Sequence, residues 1–303
     1  MNAITLHPPN ASAQHRGIWL CGLFGIAGFS LTLPMTRLAL TAFDPIVLTL
    51  GRALIAAVLS AVVLFAARQK IPPFRCWWRF AVVSAGVIYG FPLLSSMAMQ
   101  QVPASHGAAI TGLTPLVTAL IAVLRGDERP SSTQWATLFG CCLVVLAFAV
   151  ASGAGRVQAA DLLMFAAVIV VGIGYAEGAL LARQFGYWQT ICWALLLSVP
   201  VSVAGLVYHG VQLPSLKTFS DLLPALGGFM YLGTISMFAA FMLWYRGLAL
   251  GGIARVGQLQ FLQPFMTIAA ASLLFGEALH ARAIACVCGI SLLILVGNNF
   301  KRR

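Results

Sequence analysis

Apolar residues run through this chain in long blocks, and polar ones collect in the short intervals between them. Windows bounded by charge, proline or glycine fall at 17–36, 45–67, 77–99, 103–124, 131–151, 160–183, 188–208, 222–245, 253–274 and 279–299. Each is close to the ~20 residues that a helix needs to cross the hydrocarbon of a bilayer. A membrane β-strand would instead alternate over about ten residues, and the blocks do not alternate. The intervals are short, so the pattern predicts antiparallel neighbours whose backbone hydrogen bonds are satisfied within each segment. The expected fold is all-α and integral to the membrane, with ten transmembrane helices. Residues 1–16 are polar and are expected to form a disordered tail. They lack the basic start and short apolar core of a signal peptide.

Composition sharpens this. Hydrophobic residues make up 60% of the chain and charged ones 8%, against about 25% charged in soluble domains. The net charge of +11 raises the question of nucleic acid, but a nucleic-acid binder would cluster its basic residues on one soluble face. Here they lie between apolar blocks, where they encode orientation. With the N-terminus inside, the inner segments hold 13 basic residues: Arg16, Arg68, Lys70, Arg75, Arg79, Arg125, Arg129, Arg183, Arg246, Arg255, Lys301, Arg302 and Arg303. The outer segments hold 4, Arg37, Arg156, Lys217 and Arg282, and Arg52 lies within the second block. Both termini are therefore expected in the cytoplasm, with Trp77 and Trp78 beginning an inner aromatic belt. The 7 cysteines have no metal-ligand spacing and serve as small apolar filler. Neither a metal nor any other cofactor is expected.

The stretch "LTPLVTALIAVLRGDE" (Leu113–Glu128) returns as "LQPFMTIAAASLLFGE" (Leu262–Glu277), 149 residues later. The two share Leu, Pro, Thr, Ala, Leu and the closing Glu. The offset continues through Ala136 and Ala285, Gly140 and Gly289, Leu143 and Leu292, and Leu146 and Leu295. Two repeats follow, 17–151 and 160–299, each of five blocks. Five is odd, so the second repeat enters the membrane from the opposite side, and the halves are related by an axis in the membrane plane. A site between inverted halves can open to one side and then to the other.

The segment "MQQVPASHGAAITGLTPLVTALIAVLRGDERPSSTQWATLFGCCLVVLAFAV" resembles the EamA domain of the drug/metabolite transporter superfamily. So does "GGIARVGQLQFLQPFMTIAAASLLFGEALHARAIACVCGISLLILVG". The shared features are a mid-helix proline, Pro115 or Pro264, a Gly-Glu-like turn, and a glycine in the next helix. Departures are Gly126-Asp127-Glu128 at the first turn and Ala147 at a usual glycine. The resemblance implies two inverted five-helix repeats around a central cavity in a bacterial inner membrane. It further implies export of small metabolites. Among family members the chain looks most like bacterial exporters of amino acids, aromatic ones included.

Candidate binding residues follow from polar groups inside apolar blocks. Gln258, Gln260 and Gln263 precede Pro264, and amides in hydrocarbon are costly unless they face partners or water. Thr111 and Thr114 stand at the positions aligned with Gln260 and Gln263. Each proline removes a donor and frees the carbonyl four residues back, that of Thr111 or Gln260, making Pro115, Pro264 and also Pro92 expected hinges. Glu177 is the only carboxylate deep in a block, suited to a substrate ammonium, to proton exchange or to an ion pair with an arginine. Tyr89, Tyr175 and Trp244 offer rings for an apolar side chain. Gly174 and Gly178 form a small face for close helix approach. Arg52 is left between snorkelling outward, pairing with Asp44 and meeting a substrate carboxylate. His106 is expected at the interface, and Glu128 and Glu277 are expected to accept backbone donors of the helix that follows each.

No GxxxxGK[ST], HExxH or GxSxG motif occurs, so neither ATP hydrolysis nor an enzyme is indicated. The expected partners are a small-molecule substrate and the lipid bilayer, with no nucleic acid; oligomeric state is open.

Overall fold

A computed structural model describes residues 11–102, 104–125, 128–151, 159–210, 219–276 and 281–299, and these contain helices and no strand. In chain order the helices are α1 (Gly17–Ala39), α2 (Pro45–Ala66), α3 (Phe74–Met99) and α4, in two pieces (Ala104–Thr111 and Thr114–Leu124). Then come α5 (Ser132–Ala151), α6 (Ala159–Phe185), α7 (Tyr187–His209), α8 (Leu222–Gly251), α9 (Ile253–Phe275) and α10 (Ala281–Asn299). Seven of these, α1–α3 and α6–α9, are long and apolar enough to cross a membrane. Their outward faces expose large apolar side chains such as Phe65, Val207 and Leu273, as lipid contact requires.

The helical backbone of α1 extends back from its apolar span to Ala11, so residues 11–16 of the expected tail are helical, while residues 1–10 lie outside the described residues. The α8 helix runs on to Gly251 and takes Arg246 into its last turns. Gly252, at φ 89°, then reverses the chain into α9.

Helix breaks repeat with the sequence. In α3 the backbone widens to a π-helix over Ser84–Gly90, and in α8 over Leu232–Ala239. These are 149 residues apart to within one position. In the same way Phe91 pairs with Ala240, Ala104 with Ile253, Thr114 with Gln263 and Ser132 with Ala281, each pair opening a helix. Pro92, Pro115 and Pro264 each stand at the second residue of a new helical piece. There the missing N–H costs nothing and the fixed φ suits a first turn. The prolines thus begin helices after a π turn, a break at Gly112–Leu113 and a 3-10 segment at Gly257–Leu262.

Contacts between the halves are reciprocal. Helix α1 packs on α8 as α3 packs on α6, and α2 meets α7, α4 meets α9 and α5 meets α10. Lipid is as apolar as these interfaces, so close packing rather than exclusion of water holds them. Gly174 serves the α3–α6 crossing: it faces Gly86, and a Cβ on Gly86 would run into the Val170 carbonyl oxygen. Gly178 instead makes room for the fully buried ring of Tyr245.

A candidate substrate crevice between the halves

Where α1, α2, α3, α4, α6, α8 and α9 converge, the side chains leave a crevice. It is narrow, with room at its middle for little more than a water. Four pairs of positions 149 apart face it together: Val87 and Ser236, Pro92 and Phe241, Thr111 and Gln260, Thr114 and Gln263. The crevice therefore lies where the two repeats mirror each other. The π turns supply Val87 and Ser236, and the segments just before the two prolines supply the Thr and Gln pairs. In the 3-10 segment successive turns eclipse, so Gln260 and Gln263 share a face, while Gln258 is buried elsewhere.

The carbonyls freed by the prolines are already satisfied. Thr114 Oγ1 donates to the Thr111 carbonyl at 2.6 Å, and the Gln263 N–H bonds to the Gln260 carbonyl. Neither is left for a substrate ammonium. The Gln260 Oε1, by contrast, has no partner among the described residues although it is buried. Helix α1 uses the same device: Pro34 frees the Ser30 carbonyl, which accepts Thr267 Oγ1 at 2.8 Å and ties α1 to α9.

One wall is aromatic. Phe29 and Phe241 have centroids 4.7 Å apart, and Tyr175 lies 5.9 Å from Phe241. Trp244 stands behind this wall, edge-on to Tyr175 at 5.9 Å, fully buried and not lining the crevice. Tyr89 also lies away from it. Its hydroxyl meets the Ser198 carbonyl at 2.5 Å and Ser202 Oγ at 2.9 Å, so it fastens α3 to α7.

Glu177 is buried but outside the crevice, ion-paired to Arg79 and, at 2.9 Å, to Arg125. Of the roles open to it, the ion pair is the one this geometry realises. Next to it Arg183 reaches Glu128 at 2.8 Å. Glu128 does not cap the following helix as expected. It accepts from the Ile253 and Ala254 N–H groups at 2.7 and 2.9 Å, at the start of α9 in the other half. These pairs make an ionic layer across the arginine-rich ends of α3, α4, α6 and α9. Glu277 and the side chain of His106 lie outside the described residues.

Sequence reasoning passed over Ser236, Thr32 and Phe241, whose residue types are too common in apolar helices to stand out. It left Arg52 undecided. Arg52 neither snorkels nor pairs with Asp44: it is 2% exposed and lines the crevice, while Asp44 caps α2 through the Ile46 N–H and meets His209.

A family model described as the EamA-like transporter family matches residues 16–152 and again 158–297. The chain belongs to this family. It is thus a transporter rather than an enzyme, as its motifs indicated. The EamA-like chain is 40% identical over 285 residues to the uncharacterized transporter YdeK of Bacillus subtilis, covering 94% of this chain and 98% of the relative. It is 26% identical over 211 residues to a probable terminal-alkyne amino-acid exporter of Streptantibioticus cattleyicolor, covering 66% and 70% of the two chains. One solved crystal structure superposes with a TM-score of 0.73 at 18% identity, over 95% of this chain and 98% of its own, which establishes a shared fold.

Proposed function

We propose that this EamA-like transporter exports amino acids, aromatic ones included, across the bacterial inner membrane by alternating access. In this reading ten crossings form two inverted repeats, 17–151 and 160–299, with both termini in the cytoplasm. The observation that carries it is the crevice faced by equivalent positions of both halves, above all Thr111/Thr114 and Gln260/Gln263. A site shared by two similar halves is exposed to one side or the other as they rock. The rings of Phe29, Tyr175 and Phe241 suit an apolar side chain, and the partnerless Gln260 Oε1 suits an ammonium. The name of the more distant relative, an amino-acid exporter, agrees. Pro92, Pro115 and Pro264 mark where the helices bend, and the Glu177 and Glu128 ion pairs hold the cytoplasmic end closed. Tyr89, Trp244 and Gln258 support the walls.

The test is counterflow in proteoliposomes preloaded with unlabelled amino acids and offered labelled phenylalanine, tryptophan, leucine, methionine or alanine. Saturable exchange of at least one is expected. If none exchanges while a panel of non-amino-acid metabolites or cationic drugs does, the substrate class is wrong.

A further inference from the structure

Among the described residues Arg52 is the only charged one lining the crevice, and no acid there answers its charge. Among the described residues its single hydrogen bond runs from Nη2 to Ser236 Oγ, 3.1 Å, and Ser236 is in turn bonded to Thr32 Oγ1 at 2.8 Å. Nε and Nη1, which together carry three N–H donors, are buried with no partner. Among the described residues no carboxylate is paired with the guanidinium: Asp44, Glu128 and Glu177 are each engaged elsewhere. Guanidinium stays protonated in proteins, and a buried, unpaired charge is among the costliest groups a fold can keep.

The scaffold does not require it. The offset of 149 holds across α3–α5 and α8–α10 and takes Ser236 to Val87, while α2 and α7 start 142 residues apart, at Pro45 and Tyr187, which takes Arg52 to Ala194. The arginine and the serine of the polar cluster are thus absent from the mirrored positions, and the other half folds without them. A cation kept at such a cost, in one half only and on the wall of the transport crevice, has a ligand as its natural counter-charge.

We propose that Arg52 is the carboxylate anchor of the substrate site, so that whatever the crevice binds carries a planar carboxylate. This rests on the transporter reading of the crevice and narrows it. The unpartnered Nε–H or Nη1–H, paired with the second N–H of Nη2, donates to the two carboxylate oxygens, with Ser236 and Thr32 holding Nη2 in place. The apolar tail then lies toward Phe29, Phe241 and Tyr175. Bidentate guanidinium–carboxylate geometry selects acids over amides, esters and amines of the same shape.

The experiment uses the full chain in proteoliposomes and in detergent. Inhibition of counterflow and shifts of the unfolding midpoint are measured with matched sets: L-phenylalanine, L-phenylalaninamide and phenethylamine; L-leucine and L-leucinamide; and benzoate against benzamide. The wild-type chain is expected to prefer each acid over its neutral or cationic analogue by about 100-fold, the scale of losing one partner of a buried charge pair. R52Q is expected to lose that preference while gaining thermal stability without ligand, because the unanswered charge is gone; R52K keeps a part of the preference. Equal handling of acid and amide by the wild-type chain overturns the assignment without any variant, as does an R52Q chain that still prefers acids. If compounds are carried but none of them is an acid, Arg52 is not the anchor although the transporter reading stands. If no compound of any class is carried or shifts the midpoint, the crevice itself is misread and the assignment falls with it.

Discussion

The carboxylate of Glu128 caps the helix that starts at Ile253, so the last acidic residue of the first repeat closes the backbone of the second. A helix start leaves several N–H groups without acceptors, and here the acceptor comes from 125 residues away in sequence. Removing a helix cap costs about 0.5–2 kcal/mol, and the half-exposed Arg183 pair adds at most about 1 kcal/mol. E128A should therefore lower stability by about 1–2 kcal/mol in detergent unfolding, and E128Q, which keeps one acceptor, by less. An E128A chain as stable as the parent would show that the cap does not hold the halves together.

The Glu177 layer makes a different prediction. E177Q leaves Arg79 and Arg125 facing each other without their shared counter-charge, which favours separation of α3 and α4 at that end. A cysteine placed at Thr114 should then react several-fold faster with an impermeant maleimide added from the arginine-rich side, measured against a chain without that cysteine. The acid-over-amide preference should not move, since Glu177 does not line the crevice. Loss of that preference in E177Q would place Glu177 in the binding site after all.

Gly86 and Gly140 should behave oppositely. A Cβ on Gly86 meets backbone on α6, the Val170 carbonyl and, at 3.2 Å, Gly174 Cα, neither of which can turn aside. G86A is expected to destabilise by about 1–3 kcal/mol. A Cβ on Gly140 meets only the Leu293 side chain, Cδ1 at 3.5 Å and Cδ2 at 3.9 Å, both ordinary contacts, and Ala is the better helix former. G140A should match or slightly exceed the parent in thermal unfolding.

Tyr89 and Tyr175 separate fastening from binding. Y89F removes the hydroxyl's bonds to Ser198 and Ser202 and should cost about 1 kcal/mol while leaving the order of substrate preference intact. Tyr175 lines the crevice, and Y175A should alter that order, most of all for aromatic side chains. Counterflow competition with phenylalanine, leucine and alanine distinguishes the two.

Much of this architecture could be read from one chain because hydrophobic blocks and their offset are local properties of sequence. The shared Pro115 and Pro264 announced the repeat, and Thr111, Thr114, Gln260 and Gln263 were found because polar groups beside them are conspicuous in hydrocarbon. What escaped depended on three-dimensional pairing. Nothing near Glu128 indicates that its N–H donors belong to Ile253. Tyr89 and Trp244 look like cavity rings by depth alone, and only the packing of α7 and of the Phe29–Tyr175 wall moves them aside. The π turns left no trace in the hydropathy pattern, since a widened turn shifts which residues face inward without changing how apolar the block is. Arg52 was visible as an oddity, but its lack of a counter-charge is a statement about every other acid among the described residues.

The matched π turns of α3 and α8 also bear on descent. A π turn packs more residues into a turn than an α-helix does, so a lineage acquires one by insertion. Two independent insertions at positions 149 apart to within one residue make a longer history than one insertion followed by duplication. Arg52 and Ser236, which answer to Ala194 and Val87 in the other half, are where two otherwise like halves part company.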